Sequence, residues 1–192
     1  MAMPASKFYT PEEYLTLEEK ADYKSEYYDG EIFAMAGAST NHNRIAGNVF
    51  AALHTAFKGK PCEVFSSDVR LLVKPNGLHT YPDVMVVCGQ VEFAEERNDI
   101  ITNPIVIVEV LSASTRDYDR GGKFTLYRDL ATLQDYVLVD QAEAHVEHFH
   151  KLDDGTWLLR EYRGLEGSLR LHALEFEMPM RDIYEKVDWE SG

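Results

Sequence analysis

Apolar residues recur along this chain with two periods, and the changeovers between them mark its elements. Thr10-Pro11-Glu12-Glu13 opens a helix that the pattern carries to about Lys20, with Thr10 as N-cap, proline at the first position and Glu13 closing a capping box. Tyr27-Tyr28-Asp29-Gly30-Glu31-Ile32-Phe33 reads as a hairpin about an Asp-Gly turn. Ser39-Thr40-Asn41 offers caps for a second helix, in which Ile45, Val49, Ala52, Leu53 and Ala56 share one face and Gly59-Lys60-Pro61 is the stop. Glu63 to Val73 reads as one strand closed by Pro75-Asn76-Gly77, and Tyr81-Pro82-Asp83-Val84-Met85-Val86-Val87 opens another. A helix is expected from about Asp119 to Leu130, then a buried strand Asp135 to Asp140. His145 to Leu152 and Thr156 to Tyr162 flank Asp153-Asp154-Gly155 as a second hairpin. A strand from Leu169 to Phe176 and a short helix after Pro179 complete the chain.

The run Pro104-Ile105-Val106-Ile107-Val108-Glu109-Val110-Leu111-Ser112 departs from both periods. Seven of its nine residues are aliphatic or proline and five are β-branched, so it reads as a central strand covered on both faces. A lone carboxylate is expensive there unless something compensates it. Asp83 sits at the start of a neighbouring strand, and Lys123 lies in the following helix on the face of Tyr127 and Leu130. Two carboxylates and a lysine on adjacent elements can hold a divalent metal and a water. A buried Glu109–Lys123 ion pair without metal, and a turn role for Asp83, are the simpler accounts of the same residues.

Composition narrows the class. The chain has 192 residues, 45% hydrophobic, and no run long enough to span a membrane, which fits one globular domain. Met1 to Lys7 lacks the apolar segment of a secretory leader. Cys62 and Cys88 form no Cys-x-x-Cys pair and are expected as ordinary reduced thiols, so a cytoplasmic location is expected. The net charge of −14 argues against a nonspecific nucleic-acid binder. Acidity concentrates at the ends, however: residues 34–74 carry Arg44, Lys58, Lys60, Arg70 and Lys74 against Glu63 and Asp68, leaving a middle that can face phosphate.

The order helix, strand, strand, strand, helix, strand, with acids on the second and third strands, resembles the PD-(D/E)XK superfamily and its restriction-endonuclease-like fold. More narrowly, Asp29-Gly30-Glu31, Tyr81-Pro82-Asp83-Val84, Val108-Glu109-Val110-Leu111-Ser112 and Tyr118-Asp119-Arg120-Gly121-Gly122-Lys123 resemble the Uma-two family of "putative restriction endonucleases". So does Leu126-Tyr127-Arg128 with Tyr136-Val137-Leu138-Val139-Asp140; the likeness runs from about Thr10 to Phe176. It implies an α/β (α+β) domain over residues 1–192, with a mixed sheet flanked by helices in a core of about 38–142 and antiparallel strands over about 143–192. It also implies a Mg²⁺-dependent endonuclease acting on nucleic acid, most readily DNA, with Mn²⁺ able to substitute. Asp83, Glu109 and the Val110 carbonyl would be the metal ligands. The superfamily lysine normally stands two residues after the acid, where this chain has Leu111, so the resemblance assigns the ammonium to Lys123. Glu31 is the additional acid it suggests, and His42 is a weaker candidate beside the ordinary reading of a cap or surface histidine.

Other clusters are given plainer readings. His145, His148 and His150 with Glu147 suggest zinc, but without an evident fourth ligand they are read as an exposed hairpin face. Asp119-Arg120-Gly121-Gly122 lacks the spacing of a phosphate loop. Tyr23, Tyr27, Tyr28 and Phe33 are assigned to core or dimer packing rather than base stacking. Besides the nuclease, two functions remain: a noncatalytic protein-interaction module on a nuclease fold, and a metal-dependent small-molecule hydrolase. Exposed edges of the C-terminal strands lead to an expected homodimer.

Overall fold

The computed structural model describes residues 7–189, so most of the stretch read for a leader lies outside the described residues. The chain forms α1 (Pro11–Glu18), β1 (Ser25–Tyr28), β2 (Glu31–Ala34), α2 (Thr40–Phe57), β3 (Cys62–Ser66), β4 (Arg70–Val73) and β5 (Leu78–Thr80). Next come β6 (Val84–Cys88), β7 (Ile100–Ile101), β8 (Val106–Leu111) and α3 (Arg116–Tyr118). A π-helical turn (Asp119–Lys123) leads into α4 (Phe124–Tyr127) and β9 (Asp135–Asp140). The C-terminal part holds β10 (His145–Lys151), β11 (Trp157–Arg163), β12 (Ser168–Leu171), β13 (Phe176–Pro179) and α5 (Met180–Ile183).

Two large sheets and the separate antiparallel pair β12-β13 organise these elements. The larger has the order β11-β10-β9-β8-β6-β3, and the smaller β2-β1-β5-β4-β7. β8 and β9 run parallel across the helical crossover, as the strand–helix–strand pattern requires, while β6 pairs with β8 antiparallel. β8 is buried at all six positions, with Val106, Val108 and Val110 in the core beneath α2 and Ile107 and Leu111 in the core beneath α4. Those two clusters cover both faces of the sheet, which is why the run shows no alternation.

Local chemistry sets the ends. Thr10 and Glu13 complete the reciprocal capping box of α1, and Ser39 caps α2 through the His42 N–H. Asp29 and Gly30 take φ of 46° and 83°, the doubly left-handed turn that matches the twist of a two-residue hairpin.

Several expectations are corrected. Glu63 to Val73 is not one strand: a turn at Ser67–Asp68 sends β3 into the large sheet and β4 into the small one. Leu169 to Phe176 likewise divides into β12, a 3₁₀ turn and β13, because Glu175 takes φ of 47° between them. The expected helix from Asp119 begins earlier, at Arg116, and widens into a π turn where Gly121 and Gly122 weaken regular winding. A Cβ on Gly122 would come within 2.9 Å of the Tyr118 ring, so that turn needs glycine. Cys62 and Cys88 are not free thiols: they pair in register across β3 and β6 and form a disulfide. No helix among the described residues is long and apolar enough to cross a membrane. The histidine hairpin face is not exposed either, since His145 and His148 are buried.

Candidate active site

At one end of the large sheet the small sheet, the start of α2 and the segment Arg116–Tyr127 enclose a cleft of about 950 Å3. Asp83 enters it just before β6, and Glu109 from the C-terminal half of β8. Asp83 Oδ2 accepts the Val110 N–H at 2.8 Å, while Glu109 Oε2 accepts the Asp83 N–H at 3.3 Å. The ladder between β6 and β8 ends at the pair Val84–Val108, so these carboxylates occupy the place where strand pairing stops.

The π turn brings Lys123 onto the same spot. Its Nζ lies 3.0 Å from Glu109 Oε1, 2.9 Å from Glu26 Oε1 and 3.7 Å from Asp119 Oδ1. All four of these side chains are at least nine-tenths buried or nearly so, and Tyr127 donates its hydroxyl to Glu109 Oε1 at 2.7 Å. Burial pushes the Glu109 carboxyl above its ordinary value, against the pull of Lys123 and with the repulsion of Asp83 and Asp119. Burial also raises Asp119, again opposed by Lys123. For Lys123, burial acts to lower the pKa, but Glu109 and the surrounding acids override it and hold the ammonium well above its ordinary value.

His42 stands at the mouth, with Nε2 3.2 Å from Asp83 Oδ2. Burial lowers its pKa, and the hydrogen bond and charge of Asp83 outweigh that and leave it raised. The structure therefore gathers Asp83, Glu109, Val110, Lys123 and His42 around one cleft. It does not bring Glu31 there. Glu31 is exposed beside the turn on the edge strand β2, whereas Glu26 lies on the inner strand β1, between β2 and β5. Glu26 Oε1 accepts from Thr80 as well as Lys123. Sequence reasoning missed Glu26, Asp119 and Tyr127. Asp119 and Tyr127 were legible in part, since both lie four residues from Lys123.

The chemistry of this donor set fits a hard divalent cation. Glu26, Asp83, Glu109 and Asp119 face only Lys123, Lys24 and His42 among the basic groups lining the cleft. Carboxylates crowded in excess at low exposure call for an added positive charge. The expected basic middle does not supply it. Arg44, Lys58, Lys60, Arg70 and Lys74 do not line the cleft, and Arg70 is buried against the Tyr81 hydroxyl, at 2.9 and 2.8 Å. Packing holds for Tyr27, which is buried and stacked on Tyr14, and for Tyr28, which packs against the core beneath α4; Tyr23, Tyr28 and Phe33 also line the cleft.

A mixed sheet whose antiparallel and parallel pairs converge on two acids and a lysine defines the restriction-endonuclease-like class of nuclease folds. A solved structure described as a "putative nuclease belonging to DUF820" from Anabaena variabilis superposes with TM-score 0.74 at 17% identity, covering 90% of this chain and 96% of that one, and so shares the fold. The family model "Uma2: Putative restriction endonuclease" matches residues 11–181, and the chain belongs to that family. Two Synechocystis sp. PCC 6803 proteins are similar to it. "Uncharacterized protein sll1609" is 42% identical, with coverage of 85% of this chain and 93% of the relative. "Uncharacterized protein slr1290" is 39% identical, covering 91% and 90%. Membership of that family makes this a nuclease-type protein and implies nucleic acid as its substrate class.

Proposed function

We propose that the protein is a Mg²⁺-dependent endonuclease that hydrolyses phosphodiester bonds of DNA, with Mn²⁺ able to replace Mg²⁺. The observation that carries this reading is the meeting of Asp83 and Glu109 beyond the last β6–β8 pair, with the Lys123 ammonium 3.0 Å from Glu109. Asp83, Glu109 and the Val110 carbonyl would hold the ion. In an extended strand the N–H and C=O of one residue lie along the same edge, and the Val110 N–H already points to Asp83. Bound there, Mg²⁺ supplies Lewis-acid stabilisation of phosphate charge and a more acidic water.

The chain's own groups account for the rest. Lys123 is held by Glu109, Glu26 and Asp119, so its charge is fixed before substrate arrives and costs little to reorganise. From that position it orients the attacking water or stabilises charge on the pentavalent phosphorane. Tyr127 fixes Glu109 through a hydrogen bond, leaving Glu109 Oε2 on the Asp83 side. His42 restrains Asp83 in the same way. The exposed rings of Tyr23 and Phe33 at the cleft offer stacking surfaces to unpaired bases, an attraction that does not need a basic groove. Homodimerisation belongs to this reading too, supported by the edge position of β11 and its exposed Leu158 and Leu159.

The Glu109–Lys123 contact also favours a second reading, a noncatalytic module in which the pair is structural. Cleavage of plasmid and single-stranded DNA with Mg²⁺ or Mn²⁺, run beside Glu109→Gln, separates the two. Metal-dependent nicking that disappears in the variant is the expected result; no cleavage would favour the module, and equal cleavage by both proteins would overturn the assignment of activity to this site.

A further inference from the structure

We propose a second metal site, for Zn²⁺, built from Asp135, His148 and His150 at the end of the large sheet away from the cleft. Its geometry follows from strand register. Asp135 opens β9 and pairs directly with His150 of β10, and His148 lies two residues earlier on the same face. Asp135 Oδ1 is 2.6 Å from His148 Nε2 and 2.8 Å from His150 Nδ1. The other carboxylate oxygen, Oδ2, accepts the Ala173 N–H at 2.9 Å, which fixes the plane of the group as outer partners fix metal ligands.

These donors lie within 4.8 Å of one another and combine two imidazole nitrogens with one carboxylate oxygen, the borderline set that suits Zn²⁺ better than Mg²⁺. Zinc–donor bonds of about 2.0–2.2 Å place tetrahedral ligands roughly 3.3–3.5 Å apart. Admitting the ion would widen the two Asp135–histidine contacts by roughly 0.5–0.9 Å, each imidazole turning the lone pair of its facing nitrogen to the ion and carrying its proton on the other ring nitrogen. Asp135 and His148 form the fully buried floor, at 0% and 1% exposure, and half-buried His150 provides the way in. The fourth position goes to a water or to His172, whose ring stands 4.7 Å from that of His150.

The site is separate from the cleft. Glu109 pairs with Leu138, three positions along β9 from Asp135, or about 10 Å of strand. An ion here joins β9, β10 and the turn between β12 and β13, so its role is a staple holding the C-terminal strands to the central sheet.

The test is a Zn²⁺ titration of the full chain in excess Mg²⁺, which keeps the oxygen-lined cleft supplied, with bound zinc read by chelator competition and the thermal midpoint. Wild type and Asp83→Asn are expected to retain one Zn²⁺ and to gain stability from it. His150→Ala and His150→Gln, changes at a half-buried position, are expected to lose affinity by more than the roughly 10–100-fold that an outer-shell partner costs. No retained zinc in wild type, retention unchanged in both His150 variants, or loss in Asp83→Asn would each overturn the proposal. The first of these results would leave Asp135 as the acceptor of two histidine hydrogen bonds.

Discussion

Asp83 and Glu109 each hold the other's strand: the Asp83 carboxylate accepts from Val110 N–H, and the Glu109 carboxylate accepts from Asp83 N–H. The two acids are thus locked at a common point before any ligand arrives, and metal binding needs little rearrangement. Saturating Mg²⁺ at about 100 times Kd should stabilise the wild type by about 2.7 kcal/mol. Asp83→Asn and Glu109→Gln should lose most of that gain in a thermal-shift titration, while keeping the wild-type circular dichroism spectrum.

Lys123 is the counter-charge for three acids at once, Glu26, Glu109 and Asp119. Lys123→Met leaves them buried together and should cost about 3–5 kcal/mol in metal-free urea denaturation near neutral pH. A loss under about 1 kcal/mol would show that the ammonium does not hold this cluster.

Glu26 and Glu31 make a paired control, one inside the cleft and one exposed on the hairpin edge. Glu26→Gln should lower kcat on the order of tenfold or more by loosening Lys123. Glu31→Gln should leave the rate within about twofold of wild type. Equal losses would return Glu31 to the site.

His79 gives a pH signature unrelated to the chemistry. It packs against Tyr14 and Tyr27, and burial, aided by Arg70, lowers its pKa from 6.5 to about 4. The unfolded chain therefore takes a proton as pH falls through 6.5, while the folded chain resists until about 4. The contribution is fully present above the unfolded value and is lost on acidification through this window, about 3 kcal/mol in all. By denaturant titration, wild type should lose about 3 kcal/mol more than His79→Phe between neutral pH and about pH 4; equal losses would refute it.

The Cys62–Cys88 disulfide closes a 26-residue separation between β3 and β6. Reduction should lower stability by about 3.5 kcal/mol on loop-entropy grounds. Identical unfolding midpoints with and without reductant would show that the bond contributes nothing.

The sequence made the central strand, the caps and the parallel crossover legible because each depends on residues adjacent in the chain. Asp83, Glu109 and Lys123 were legible through their elements: an acid at a strand start, an acid in an apolar run, and a lysine on a buried helix face. Glu26 was not, because its place depends on β1 pairing with β5, more than fifty residues later in the chain. The Asp135 contact to His148 and His150 was hidden for the same reason. The histidine spacing showed a shared face, but only the β9–β10 register supplies the carboxylate. The division of Glu63–Val73 was obscured because apolar residues continue on both sides of the Ser67–Asp68 turn.

Because the wide helical turn carries the ammonium to Glu109 from outside the sheet, position 111 is released to leucine, which is 1% exposed and joins the core with Ile107 and Leu138. The acid-bearing strand and the lysine can then vary independently. Moving the lysine along β8 would take a step of two residues to keep its face, whereas adding or removing one residue among 119–123 turns Lys123 by about 100° around the helix, in a segment that is not part of the strand ladder. The reach of the ammonium is thereby a property of helical winding, adjustable in sequence without disturbing the sheet that bears the carboxylates.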